Sequence, residues 1–331
     1  MRNSTMQHFI HQANQYGTQS LPFFFLIDFE QQKPLIFPLE KAANQGIYFD
    51  IQGKTNYIGQ ARQAISIKKH PVSFAQYQQS FERVQQQLQQ GNSYLLNLTY
   101  PTEITGNIDL ESLFNQAVAP YKLWLKNQFV CFSPECFIHI QDNKIFTYPM
   151  KGTINAALPD AENRLLNDEK EQREHYTIVD LMRNDLAMVA SDIQVTKFRY
   201  VDRIATQKGE ILQTSSEICG ELDEKWQQNI GHLLAALLPA GSISGAPKEK
   251  TVQIIQQAER QPRGYYTGIF GLFDGKNLQS AVAIRFISQV EEKYYFHSGG
   301  GITIQSRLED EYQELLEKIY LPSFCRTEEK K

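Results

Sequence analysis

One lysine in this chain sits where its amine can be aimed. Lys151 lies in Tyr148-Pro149-Met150-Lys151-Gly152-Thr153, directly after the strand-like run Lys144 to Tyr148. Proline and glycine are poor inside a strand, so the spacing predicts a strand end turning into a loop. Most lysines are solvated, but a neutral amine held at a fixed spot is a nucleophile. Four glutamates form two pairs, Glu171 with Glu174 and Glu311 with Glu314, each spaced by three on an expected helix. That spacing points both carboxylates of a pair the same way, as it also does on ordinary solvated helix faces. Two such pairs facing each other would suit a hard divalent cation. Glu135, in Ser133-Pro134-Glu135, is wedged between two apolar runs, an unusual place for a carboxyl group.

Arg285 falls inside Ala281-Val282-Ala283-Ile284-Arg285-Phe286. A guanidinium in an apolar run is costly unless paired, whether with a ligand carboxylate or a structural acid. Gly299, Gly300 and Gly301 could present backbone N–H groups to an anion or make a tight turn. The glycine-rich stretch Gly241 to Lys248 fails as a phosphate loop, because three residues separate its glycines and Ala-Pro intervenes before the lysine. Asn97 either meets a ligand or pairs in a sheet.

The elements that must position these residues can be read from periodicity. The first 20 residues are polar, either frayed or a short helix. Phe23 to Leu39 reads as a hairpin around Glu30 to Pro34, and Gly46 to Ile58 is strand-rich. Phe74, Tyr77, Phe81, Val84 and Leu88 recur at helical spacing between a Ser73 cap and Gly91. A strand follows at 93–100, then a short helix from Asp109 to Val118, and strands at Phe129 to Phe132 and Cys136 to Ile140. One long helix is expected over 159–189, with strands at 193–200 and 217–222 and helices at 225–238 and 249–260. The chain closes with strands at 264–273, 279–287 and 294–297, the glycines, one short strand and a helix from about Leu308. Strand runs between long helices, joined by hairpin-type links, predict an α+β fold.

Composition narrows the classes. The chain has 331 residues, 41% hydrophobic and 21% charged, as soluble globular proteins do. A net charge of −4 leaves no basic footprint for nucleic acid. The longest apolar run, Leu21 to Ile27, is far too short to span a membrane. Cys131, Cys136, Cys219 and Cys325 form no CxxC pair, so neither zinc nor disulfides are expected and a cytoplasmic location is.

Together these residues resemble the chorismate-binding enzymes, which include anthranilate synthase component I, aminodeoxychorismate synthase component I and the isochorismate and salicylate synthases. The matching stretches are Ser133 to Glu135, Pro149 to Thr153, Glu174-His175, Val179 to Asp185, Pro239 to Lys248, Arg263 to Gly271, Ala283 to Arg285, Ser298 to Ile302 and Glu311 to Glu314. They begin at Gly91 to Thr99 and keep the family order. The resemblance implies one domain over 1–331, with a divergent, shortened part at 1–90 and a catalytic core at 91–322. The fold it implies is a layered α/β/β/α sandwich with large, mostly antiparallel sheets.

Within the family, the Pro-x-Lys-Gly-Thr stretch is similar to aminodeoxychorismate synthase component I; anthranilate synthases carry alanine at the lysine position. The resemblance implies that the Lys151 amine attacks carbon 2 of chorismate as the carbon-4 hydroxyl leaves, protonated by Glu135. Ammonia would then enter at carbon 4, giving 4-amino-4-deoxychorismate for 4-aminobenzoate and folate synthesis. Mg²⁺ would be held by Glu171, Glu174, Glu311 and Glu314. Thr153, Ser242, Lys248, Tyr266, Arg285 and the backbone of Gly299, Gly300 and Gly301 would bind substrate. Ammonia would come from solution or from a separate glutamine amidotransferase subunit, since no glutaminase motif is visible. Two departures stand out: Gln213 or a neighbour occupies the place of a histidine usual in relatives, and Met150 replaces a more usual isoleucine. Isochorismate-, salicylate- or anthranilate-type chemistry and a non-catalytic chorismate-binding role stay open at this point.

Overall fold

The structure, a computed structural model, describes residues 3–59, 65–206, 209–259 and 261–321. Cys325 and the expected helix end at residue 260 lie outside them. Two nine-stranded antiparallel sheets make the frame. The strand Phe23–Ile27 shows how they are layered. All five of its residues are buried; Phe23, Phe25 and Ile27 belong to the core under the helices, whereas Phe24 and Leu26 belong to a second core with Phe49, Phe129 and Phe270. A strand apolar on both sides is what a central position demands, since alternate residues face opposite ways.

The first sheet carries the lysine strand, Met150–Asn155, at one end of its path, paired with Gly209–Glu221. The second carries the glycine strand, Lys293–Thr303, paired with Leu95–Gly106 over ten register positions. Helices cover the outer faces. The N-terminal segment is a docked helix, Ser4–Thr18, rather than a frayed end: the Asn3 side chain caps it and Met6, Phe9 and Ala13 are buried. The helix Phe74–Gln89 begins at the expected Ser73 cap. The expected long helix is two, Ala161–Asn167 and Glu169–Leu186, because Asp168 turns extended and caps the second through the N–H of Glu171. The hairpin beyond it is longer than periodicity indicated, running Ser191–Thr206 and Gly209–Glu221.

A buried ion pair joins the second sheet to the helix Lys248–Glu259. Glu259 accepts two bonds from Arg263, Nη2 at 2.7 Å and Nε at 2.9 Å, and two more from the Thr99 N–H and hydroxyl. Arg263 reaches on to the carbonyls of Asn97 and Ile243. Both charged side chains are almost wholly buried, at 2% and 4% exposed, so each depends on the other for its charge. Glu259→Gln should cost about 3–5 kcal/mol by leaving the guanidinium without a counter-charge. Urea denaturation at neutral pH measures this, with Arg263→Lys expected to lose a similar amount through its lost fork geometry.

Candidate active site

Lys151 is part of a strand, not of a loop as the flanking proline and glycine indicated. Its Cα pairs with Thr214, whose hydroxyl donates to the Lys151 carbonyl. The ladder shifts register between Lys151 and Thr153, and Gly152 takes φ +77° to allow it. A side chain there would also meet Glu171 Oε2 at 2.9 Å. The glycine therefore serves the bulge that aims the lysine.

The amine lies 3.6 Å from Glu174 Oε2 and 3.8 Å from where a Cβ on Gly301 would stand. Gly299 to Gly301 are strand residues, paired with Thr99, Leu98 and Asn97, so the tight turn, one of the two readings left open, is absent. Their bareness is what neighbours use. A Cβ on Gly300 would meet Glu314 Oε1 at 3.2 Å and Glu311 Oε2 at 3.3 Å. Glu311 and Glu314 stand on the helix Leu308–Glu317, which packs on this strand.

The four carboxylates sense one another. Burial raises the pKa of Glu171, helped by Glu174 and Asp168. Burial likewise raises Glu311, where Glu314 and Glu174 add to the effect and a bond from Ser306 opposes it. Burial works against the charge on Glu314 too, but Lys318 and then Lys151 hold its carboxyl below the usual range. Lys318 donates to Glu314 Oε1 at 2.5 Å and to the Gly299 carbonyl at 3.0 Å. Oxygen donors from two helices, one of them the buried and unpartnered Glu311 Oε2, fit the chemistry of a hard cation. Among the described residues no three acidic, histidine or cysteine side chains already form a ligand shell.

Glu135 accepts a 2.5 Å hydrogen bond from the Ser242 hydroxyl, on the short helical turn Gly241–Ser244. Burial pushes its carboxyl above the ordinary range, against the pull of Ser242, Lys151, Arg285 and Lys318. Arg285 sits in a break between the strands Leu278–Val282 and Phe286–Val290, not inside a single strand. Its backbone is left-handed, φ +52°, and its guanidinium lies over the Tyr320 ring at 5.0 Å. Among the described residues no carboxylate lies within ion-pair range of it, so the structural acid weighed from sequence is not there. Tyr266 is buried 4.9 Å from the His297 ring, and burial raises its pKa.

Two expected contacts are placed elsewhere. The Lys248 amine is taken up by Asp185 Oδ2 at 2.8 Å and the Leu237 carbonyl at 2.9 Å. Thr153 is exposed on the lysine strand. Two neighbours escaped sequence reasoning. Lys318 was signalled only by its spacing of four from Glu314. His175 was noted within a motif, not as a site group. It is fully buried, with Nε2 2.6 Å from Ser216 Oγ and Nδ1 without a partner. Ser216 lies three residues beyond Gln213, on the strand that carries the lysine strand.

A profile of the family described as chorismate binding enzyme matches residues 39–322. The chain belongs to the chorismate-binding enzymes. Among relatives, an uncharacterized PabA-like protein of Haemophilus influenzae is 74% identical over 97% of this chain and 98% of its own length. Aminodeoxychorismate synthase component 1 of Escherichia coli is 34% identical over 74% of this chain and 56% of its own length. The chain thus spans little more than half of that relative. Among solved structures, anthranilate synthase component I of Streptococcus pneumoniae gives a TM-score of 0.62 at 26% identity, covering 77% of this chain and 59% of that one. An isochorismate synthase of Bacillus anthracis shares the fold over 96% of this chain and 87% of that one, at a TM-score of 0.68 and 18% identity. Chorismate-binding enzymes with two large antiparallel sheets are therefore the setting for the site. Among the described residues no helix is long and apolar enough to cross a membrane.

The buried His175 generates a stability prediction. Burial first, then Arg199 and Lys151, lower its pKa to about 4 from the ordinary 6.5. As pH falls below 6.5 the unfolded chain takes up this proton before the folded one, so stability drops on the way toward pH 4. We expect a loss of roughly 2 kcal/mol from this group between pH 7 and pH 5. Urea midpoints at the two pH values measure it, and His175→Gln should flatten the difference.

Proposed function

We propose that this protein is an aminating chorismate enzyme of the aminodeoxychorismate synthase component I type. The observation that carries the reading is the pairing of an aimed amine, Lys151, with a carboxyl group, Glu135, that burial biases toward its protonated form. The relationship to the Escherichia coli synthase component supports it.

In this reading the Lys151 amine forms a bond to ring carbon 2 while both ring double bonds shift along the ring and the carbon–oxygen bond at carbon 4 breaks. Glu135 gives its proton to the departing hydroxyl, which leaves as water. Ser242, bonded to the same carboxyl, fixes its orientation. Ammonia then bonds to carbon 4, the shift reverses, and the lysine is released as an amine. The carboxylate of Glu135 recovers a proton from the incoming nitrogen. Lysine serves here as a nucleophile that leaves again, splitting one difficult displacement into two easier ones. Arg285, free of any acidic partner among the described residues, is placed to take a substrate carboxylate in a bidentate grip.

Glu171, Glu174, Glu311 and Glu314 would hold Mg²⁺, with waters completing its coordination. The ion would supply positive charge to neutralise a substrate carboxylate. We assign no partner residue to the ammonia source, which is free ammonium or a separate glutamine amidotransferase.

The test is product identification from chorismate with Mg²⁺ and ammonium, followed by a lyase that releases 4-aminobenzoate. 4-Aminobenzoate in the wild type is expected; isochorismate as sole product would sink the reading. Lys151→Ala should remove amination, and Glu135→Gln should slow it by roughly 10²-fold or more. Unchanged turnover in the lysine variant would show that this amine plays no part. Chelation should abolish the rate, and Glu314→Gln should raise the Mg²⁺ concentration needed for half-maximal rate. Indifference to chelator would remove the four carboxylates from the mechanism.

A further inference from the structure

The strand Leu95–Gly106 places one polar side chain on the face where the Lys151 amine rests. Asn97 and Gly301 are register partners across the antiparallel ladder, so their side-chain directions share a face. Leu95, two residues earlier, confirms that face: its Cδ1 lies 3.2 Å from where a Gly301 Cβ would be. The Lys151 amine hovers 3.8 Å from that same point. Cβ atoms of antiparallel partners stand about 4.5–5.5 Å apart, so the space that a side chain on residue 301 would fill is open to both the amine and the Asn97 carboxamide.

The Asn97 Oδ1 is buried and accepts no hydrogen bond. An amide carbonyl shut away without a donor is an uncompensated cost, and such groups are rare in folded proteins. The backbone of Asn97 is not at fault: its carbonyl takes a 2.6 Å bond from Arg263, so the strand is firmly held while its side chain is not. Among the described residues the amine's one ion-pair partner is Glu174, at 3.6 Å, beyond good hydrogen-bond length.

We propose that Asn97 is a positioning residue for Lys151. Its carboxamide oxygen accepts an N–H of the amine once that amine leaves Glu174, which turns the nitrogen lone pair toward the substrate ring. Gly301 leaves the gap through which the two groups meet. The proposal rests on the aminating function only for what the aimed amine does next; the contact itself would form whether or not amination follows.

The test uses the full chain with Asn97→Leu, which keeps the volume and removes the acceptor, and Asn97→Ala in case the first folds poorly. Two measurements are made: turnover of chorismate with Mg²⁺ and ammonium, and the rate at which acetic anhydride acetylates Lys151, read by peptide mass spectrometry against Lys248. Without the acceptor the amine stays with Glu174, away from reagent and substrate. We expect kcat to fall about tenfold or more with KM for chorismate within about threefold, because placement rather than binding is lost. Acetylation of Lys151 should slow by about threefold or more, and Tm should hold or rise, since an orphaned polar group has been removed. Unchanged kcat and unchanged acetylation would overturn the proposal. So would a fall in Tm accompanied by normal kcat per folded molecule, which marks a structural asparagine. Should the wild type fail to aminate chorismate at all, the functional reading falls and acetylation alone decides: slowing upholds the contact, no slowing ends it.

Discussion

Everything chemical in this molecule depends on how closely charged side chains can approach a backbone that carries none of its own. At Gly300 the carboxylate oxygens of Glu311 and Glu314 stand within 3.3 Å of the place a methyl group would need, and at Gly301 the Lys151 amine stands 3.8 Å away. A strand of ordinary residues would push the helix Leu308–Glu317 outward and fill the space beside Asn97. Backbone pairing with Leu95–Gly106 offsets the loss of side-chain packing, because ten consecutive register positions hold the glycines in place. The glycines also leave like charges near one another. Lys318 and Lys151 hold Glu314 below its usual range, whereas burial first, with neighbouring carboxylates adding to it, raises Glu171 and Glu311.

The second constraint is that the lysine and the glycines belong to different sheets. The lysine strand ends one path and the glycine strand is interior to the other. Their relative position is therefore set by the cores between and around the sheets. Phe24 and Leu26 face one of those cores and Phe23, Phe25 and Ile27 another. Loosening either would move the amine against the carboxylates by more than the few tenths of an ångström that aimed chemistry tolerates.

Much of this was legible beforehand, for identifiable reasons. The helix from Ser73 announces itself through a cap and five apolar residues at helical spacing, and both are local signals. The pairing of glutamates three apart is equally local. Lys151 was misplaced on a loop, because proline and glycine around it were read as breakers. In fact Pro149 precedes the strand and Gly152 forms a bulge within it. The glycine run left two readings open, because a strand with no side chains has no alternation to read. Arg285 was expected inside a strand, where its left-handed backbone cannot fit; nothing in its neighbours' identities announces φ +52°. The burial of His175 and the orphaned Asn97 oxygen depend on contacts between segments far apart in the chain, and no spacing rule reports those.

Placing the key amine on a strand has a bearing on substitution there. The backbone at position 151 is tied to one neighbouring strand twice over, by ladder pairing and by the Thr214 hydroxyl at its carbonyl, while the side chain enters the cleft. Such a position works as a socket. Exchange of one side chain would change which group enters the cleft while the backbone pairing beneath it carries through intact.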